Sequence, residues 1–368
     1  MASLLGTLRL ARAPGSKPLA RQLVEASRLR FGKYAVGISE YFDYGISRLA
    51  VTPAMCNEFI GWKQSAELDS RLNGAQSRVL ANDKLINHVI LQAAGLPSPT
   101  PVATYTSAGR RVGAEPLLTN RADVLAFLRG DVYPFYVKPI SAGYGRGVMG
   151  VGGRNGDTLE LFDGTTVSIE QFMKPFDFEP YRGMLFQKPL VAHPDIAELT
   201  GTQAISCVRF ICFVTSQGPM VHTAFWKITA GKNMLDNFSH GDHGNCLGAI
   251  DLGSGTIMRA ISKMGPGGAI EQHPSTGKGL IGFRLPDWNR AVALVKSACA
   301  NFPGLRLQNW DVALCPEGPV LLELNTESEL GVPQAISGAG LMDQRLRDIL
   351  RQVDVDDHMH RAAVRSTQ

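Results

Sequence analysis

The stretch NWDVALCPEGPVLLELN, residues 309–325, places Asp311, Glu323 and Asn325 in two apolar runs on either side of a Pro-Glu-Gly turn. If Glu317 is the centre of that turn, Asp311 and Glu323 lie opposite each other. The two-residue period of a strand then puts Asn325 on the face of Glu323. Two carboxylates and a carboxamide oxygen on one sheet face are a hard-oxygen set suited to Mg²⁺, which takes its remaining ligands from water and phosphate. The same alternation is also what the solvated face of an edge hairpin shows.

A second candidate is PFYVKPISAGYGRGVMGV, residues 134–151, with Lys138 ahead of glycines 143, 145 and 147. A Walker loop needs the lysine after its glycines, and a dinucleotide fingerprint needs a helix after them. Here the lysine comes first and VMGVGG reads as a strand, so the unit is a hairpin whose tip is rich in backbone amides. Lys138 can neutralise phosphate charge, and Gly143, Gly145 and Gly147 allow close backbone approach. Arg209 is the charged residue in the apolar run CVRFICFV and needs an anion, either a structural carboxylate or a ligand phosphate. Lys227 in TAFWKI raises the same question. Residues 231–245 form a polar loop with Asn237, His240, Asp242 and His243, whose spacing fits an Asx-turn or phosphate-gripping loop better than a metal cluster. No Gly-x-Ser-x-Gly elbow or Cys/His pairing argues for a covalent nucleophile.

These residues need a sizeable scaffold, and 368 residues at 44% hydrophobic and 19% charged supply two or three packed layers. The helical spacing of Leu85, Ile86, Val89 and Ile90 predicts a helix capped by Asn82 and stopped at Gly95-Leu-Pro. A short helix over RADVLAFLR and an amphipathic one over 286–302 follow. Strands are expected at FYVKP, GVMGVGG, MLFQKPLV, CVRFICFV, PMVHTAFWKI, LQNWDVALC and PVLLELN. Strands joined mostly by hairpins, with helices between them, predict α+β layers and antiparallel sheets. The first 80 residues read as helical and irregular, and the last dozen as frayed.

Net charge +4, from 37 basic and 33 acidic residues, gives no case for nucleic acid. Six cysteines without a C-x-x-C pair fit reduced thiols in a cytoplasmic protein. Residues 1–33 carry seven basic residues against one acid, Glu25. This segment is either a solvated helix packed on the domain, a basic helix lying on an anionic surface, or a transit signal.

Taken together, these motifs resemble the ATP-grasp superfamily from about residue 80 to about 340. NDKLINHVILQAAGLPSP resembles the Asp-Lys helix of D-alanyl-D-alanine ligases, which implies a phosphate contact for Lys84. FYVKP and the glycine tip resemble the family's strand lysine and flexible lid, implying phosphate binding by Lys138, Ser141, Gly143, Gly145 and Gly147. MLFQKPL resembles the adenine-binding hinge, with Lys188 as hinge lysine and Gln187 where many members carry an acid. Asp311, Glu323 and Asn325 match the family's metal triad. A narrower resemblance, to the sugar-transfer-associated ATP-grasp group, rests on GISEYFDYGI, LDNF, HPSTGKGLIGF, LPDW and NWDVAL and covers nearly the whole chain. TESELGVPQ departs from the Pro-Gly segment that follows the triad in many relatives.

The resemblance implies an α+β ATP-grasp fold whose two lobes, each with an antiparallel sheet, clamp ATP beside a helical N-terminal region. The implied division is 1–80 helical region, 81–130 linking lobe with the Asp-Lys helix, 131–190 small lobe with the lid, 191–352 large lobe with the metal site, and 353–368 tail. It further implies ATP and Mg²⁺, or Mn²⁺, as cofactors and a small-molecule carboxylate activated as an acylphosphate for a second nucleophile, in polysaccharide or natural-product biosynthesis. Arg209, Lys227 and Asn237 then act on the phosphoryl oxygens. Two alternatives stay open: a kinase acting on a sugar or polyol hydroxyl, and a nucleotide-binding module without catalysis. Peripheral membrane contact through the basic N-terminus and a homodimer are further expectations.

Overall fold

The computed structural model describes residues 10–33, 35–107, 113, 115–141, 147–174, 183–302 and 304–354. Its strands in chain order are β1 Pro101–Tyr105, β2 Leu117–Leu118, β3 Phe135–Pro139, β4 Met149–Asn155, β5 Thr158–Leu161, β6 Thr166–Ser168 and β7 Met184–Gln187. They continue with β8 Val208–Thr215, β9 Gly218–Ile228, β10 Cys246–Ile250, β11 Ile257–Ile261, β12 Ala269–Ile270, β13 Leu307–Cys315 and β14 Gly318–Asn325. They form two seven-stranded sheets, β2-β1-β7-β3-β4-β5-β6 and β12-β11-β10-β9-β8-β13-β14. Every pairing is antiparallel except β1 with β2.

The chain is therefore α+β, with each sheet the centre of one lobe. The small-lobe sheet draws on both sides of residue 130, because β1 and β2 join β7 and β3. Its core face carries Phe135, Val137, Val151 and Phe186 against Val124 and Leu128 of the helix Arg121–Arg129. Strand alternation turns Tyr136, Lys138 and Gln187 to the opposite face.

The large-lobe sheet is covered on both faces, so β8 and β13 are buried along almost their whole length, polar Gln308, Asn309 and Asp311 included. Phe210, Cys212, Trp226, Trp310 and Val312 pack under Ala291, Val295 and Ala298 of the helix Trp288–Cys299. Ile211, Phe213, Phe225 and Leu307 face Leu68 and Leu72 of the helix Trp62–Leu72, Ile336, and Leu346 and Ile349 of a helix over 344–354. Arg209, Lys227 and Asp311 share this second face by alternation.

The helix Lys84–Ala93 spans the lobes, with Leu85 against Ile140 and Leu185 of the small lobe and Leu91 in the large-lobe core. Its cap is Asp83, whose carboxylate accepts from Leu85 N and Ile86 N, and not Asn82, which ends the preceding helix Ala75–Asn82. The N-terminal region has its own core of Val36, Tyr41, Phe42, Ile46 and Phe59. It is tied to the large lobe by Gln334, whose side chain accepts from Ile60 N and donates to Ile60 O, both at 2.9 Å. Asn73 docks on β13 in the same manner, donating to Leu307 O at 2.7 Å and accepting from Leu307 N at 3.1 Å.

Candidate active site

The two expectations for Arg209 resolve within the fold to a carboxylate, and that carboxylate is Asp311. Arg209 Nε donates to Asp311 Oδ1 and Nη2 to Oδ2, each at 2.7 Å, a fork on β8 facing its partner on β13. Lys227 Nζ reaches Asp311 Oδ2 at 3.0 Å and Asp236 Oδ1 at 3.1 Å. Asp236 Oδ2 in turn accepts from Cys207 N at 2.8 Å. Burial opposes charge on Asp311, but Arg209 and Lys227 outweigh it and hold the carboxyl far below the usual range. Burial likewise lowers Lys227, and Asp236 and Asp311 more than restore its charge.

Asp311 pairs with Glu323, and Asn309 with Asn325, as the symmetric hairpin required. The route to that pairing differs. Cys315 pairs with Gly318, so the turn is shorter than the one centred on Glu317, and an irregularity between the Asp311 and Val312 pairs restores the register. Glu323 forms an ion pair with Lys84, Oε1 to Nζ at 3.3 Å. Asn325 Nδ2 and Asn309 Oδ1 are buried without hydrogen-bond partners.

Lys138 faces this group from the small lobe. Burial, with Lys84 close by, lowers its pKa to about 8 against the pull of Glu323. Lys84, Lys138, Gln187 and Glu323 line a cavity of about 10 Å³ together with Asn87, whose Nδ2 is buried and unpartnered. That is room for roughly one water, so the lobes are closed on one another here. Gln187 Nε2 donates to Pro99 O at 3.4 Å, and Lys188 N donates to Thr100 O at 2.9 Å while its side chain is exposed. Ser141 is half-buried in the turn after β3. Gly147 has φ +72°, and a Cβ there would stand 3.0 Å from Pro139, so both conformation and space favour glycine. Gly143 and Gly145 lie outside the described residues.

A cavity of about 480 Å³ opens between the lobes. One wall is Tyr136, Met149 and Phe162, with the two rings edge-on at 5.0 Å. The other is the polar loop, including Lys232, Asn233, Asn237 and His243. The loop is shaped by Asn245, whose Oδ1 accepts from Ala230 N and Asn233 Nδ2 and whose Nδ2 donates to Leu235 O and Asn237 O. Sequence reasoning missed Asn245, Asp236 and Asn87. Asp236 stands in the quoted LDNF, but its pairing with Lys227 depends on how the loop folds back.

The donor set suits a hard divalent cation. A carboxylate has about four lone-pair sites. Asp311 has three donors on it and Glu323 one ion pair with Lys84, while the nitrogen side of Asn325 is not held by any hydrogen bond. Oxygen capacity therefore remains on both carboxylates, and no hydrogen bond at its nitrogen fixes how the Asn325 carboxamide is turned. The cations Arg209, Lys227, Lys84 and Lys138 outnumber the carboxylates Asp311, Glu323 and Asp236, a balance that favours a polyanion.

Among curated proteins no sequence relative matches. Solved structures similar in fold include the biotin carboxylase domain dimer of 2-oxoglutarate carboxylase from Hydrogenobacter thermophilus, with MgADP, ADP and bicarbonate. It is 12% identical, over 72% of this chain and 45% of that one, at a TM-score of 0.38. The ATP-grasp ligase PsnB with its minimal precursor is 14% identical over 79% and 69%, at 0.40. D-alanine–D-alanine ligase from Bacillus anthracis with ATP is 14% identical over 79% and 71%, at 0.38. The chain spans about half the length of the first three solved structures it matches, at 45%, 48% and 52%. In sequence, residues 63–351 match the sugar-transfer associated ATP-grasp family. The match takes in the Asp-Lys helix, both sheets and the 311/323/325 hairpin, and the chain belongs to that family.

Proposed function

We propose that the protein is an ATP-dependent ligase that activates a small-molecule carboxylate by phosphoryl transfer and passes the acyl group to a second nucleophile. The observation that carries this reading is the convergence of four cations and two carboxylates from both lobes: Lys84 and Lys138 around Glu323, and Arg209 and Lys227 around Asp311.

On this reading Lys84, Lys138, Ser141 and the backbone of Gly143, Gly145 and Gly147 hold the phosphates, and Gln187 and Lys188 border the base. Asp311, Glu323 and Asn325 hold Mg²⁺, which supplies charge neutralisation and alignment at the phosphoryl oxygens when bound. Arg209 and Lys227 lie next to the transferred group and stabilise charge there, with Asp236 keeping Lys227 in place. Asn237 lines the 480 Å³ cavity, which on this reading receives the acceptor. The two lobes exclude water that would hydrolyse an acylphosphate.

The cavity also supports the kinase reading. Its described lining holds several carboxamides and no arginine, with Lys232 as the lysine available to an acceptor carboxylate. Such a wall also suits hydroxyl groups. ATP turnover with Mg²⁺ over a panel of carboxylic acids, sugars and polyols, with hydroxylamine as trap, separates the two. A hydroxamate formed with one class of acid and lost in Glu323→Ala is the expected result. A stable phosphate ester without hydroxamate overturns the ligase in favour of the kinase.

A further inference from the structure

The helix Leu19–Phe31 is amphipathic in the reverse sense. Its buried residues are Gln22, Glu25 and Leu29. Leu23, Val24 and Phe31 are 73%, 69% and 87% exposed, and Leu19 is 42% exposed. At 3.6 residues per turn these four apolar side chains fall within one arc of about 140°, and the buried residues within the opposite arc. An ordinary surface helix does the opposite, turning its apolar stripe to the core.

Polar contacts hold the buried side. Gln22 Nε2 donates to Ala11 O at 2.8 Å and Lys17 O at 2.6 Å. Glu25 accepts from Lys17 at 2.6 Å, Arg21 at 2.8 Å and Tyr41 at 3.0 Å. The helix is thus fixed to the domain without its apolar face, which stays outward. Glu25 is the one acid among residues 1–33, and it is turned inward between two bases. Arg28 is exposed at one edge of the apolar arc and Arg30 is half-buried near the other. Ser27 is also exposed within the arc, so the outward surface is mainly apolar, with Arg30 inside one margin and Arg28 just past the other, and no helix among the described residues is long and apolar enough to cross a membrane.

We propose that this face docks on an anionic lipid surface, with Leu23, Val24 and Phe31 below the headgroups and Arg28 and Arg30 against their phosphates. A lipid surface fits better than a second copy, because this helix has Glu25 as its one acid, turned inward, and so offers no exposed carboxylate to the Arg28 and Arg30 of a partner. It fits better than an acidic protein because one 13-residue helix face offers much less than the roughly 800 Å² that each side of a stable protein interface buries.

The test is co-sedimentation of the full chain with phosphatidylcholine vesicles and with vesicles also containing phosphatidylserine. Binding to the mixed vesicles is expected to exceed binding to neutral ones by ~10-fold or more, since each basic residue near the surface contributes about 5-fold. Leu23→Glu and Phe31→Glu should abolish it, and Arg28→Glu should weaken it at least ~5-fold. All three sites are exposed, so the thermal midpoint should hold and separates lost docking from lost folding. Absence of binding, equal binding to neutral vesicles, or unchanged binding in the variants overturns the proposal. So does a dimer in light scattering that Phe31→Glu dissolves without lipid, which would assign the face to a second copy. Binding that emerges when residues 1–9 are removed would assign it to the chain's own N-terminus.

Discussion

Asp311 carries two demands that one substitution cannot separate. It is a metal ligand on the proposed reading, and it is also the counter-charge for two buried cations, Arg209 and Lys227. Removing one member of a buried pair leaves the other charge without compensation, at a cost of about 3–5 kcal/mol. Asp311→Asn should therefore lower unfolding stability in urea by roughly that amount at neutral pH. Folded Asp311 titrates below its unfolded value, so its contribution is present above the unfolded carboxylate pKa of about 4 and is lost as pH falls through the folded one. Glu323 is less enclosed, with a side chain 29% exposed and one lysine contact. Glu323→Gln should change stability by about 1 kcal/mol or less while removing turnover. Equal destabilisation by the two would mean that the Arg209–Asp311–Lys227 cluster contributes little to the fold. Sequence could pose the question of what anion Arg209 meets, but only the β8–β13 register answers it, and that register spans some hundred residues of chain.

At the scale of elements, what sequence revealed depended on whether a signal was local. β3, β8, β9, β13 and β14 were legible because alternation or a continuous apolar run is contained in each. β10, β11 and β12 were not, since GAI, MRA and short glycine-rich runs carry no period of their own and are strands because β9 offers an edge. The helix cap moved by one residue because Asn82 and Asp83 are both good caps and the choice is made by where Ile140 O receives Lys84 N. The loop 231–245 is the clearest case of hidden organisation. Asn245 makes four hydrogen bonds to it, and truncation would remove it as a partner of Ala230 N, Leu235 O and Asn237 O. At ~1 kcal/mol per bond, Asn245→Ala should loosen the loop by about 2–4 kcal/mol. Hydrogen exchange should rise across 231–245 while β8 and β13 stay protected. Unchanged exchange in the loop would show that Asp236 and its lysine are enough to shape it.

Across the whole molecule, the N-terminal helices are built into the large lobe and are not an appendage. Asn73 extends β13 through both of its bonds to Leu307, and Asp69, one helical turn earlier, accepts from Asn73 Nδ2 at 2.8 Å and pairs with Arg78 at 2.7 Å. This junction contains a carboxyl whose folded pKa is raised to about 6, by burial first, with Arg78 and Asn73 offsetting only part of it. The folded state therefore holds this proton more tightly than the unfolded chain, whose carboxyl titrates near 4. Stability from this group is greatest below pH ~4, falls as pH rises to about 6, and is level above that. The difference of roughly two pH units corresponds to up to about 3 kcal/mol. Asp69→Asn keeps an acceptor for Asn73 but cannot ionise, so urea stability measured as a pH series should lose the decline between pH ~4 and ~6 that Asp69 contributes. If the two chains ran parallel through that window, Asp69 would be ionised in the folded state throughout, held by Arg78 as an ordinary ion pair. The expected result instead makes attachment of the N-terminal region to the sheet that carries Asp311 weaker at neutral pH than in mild acid.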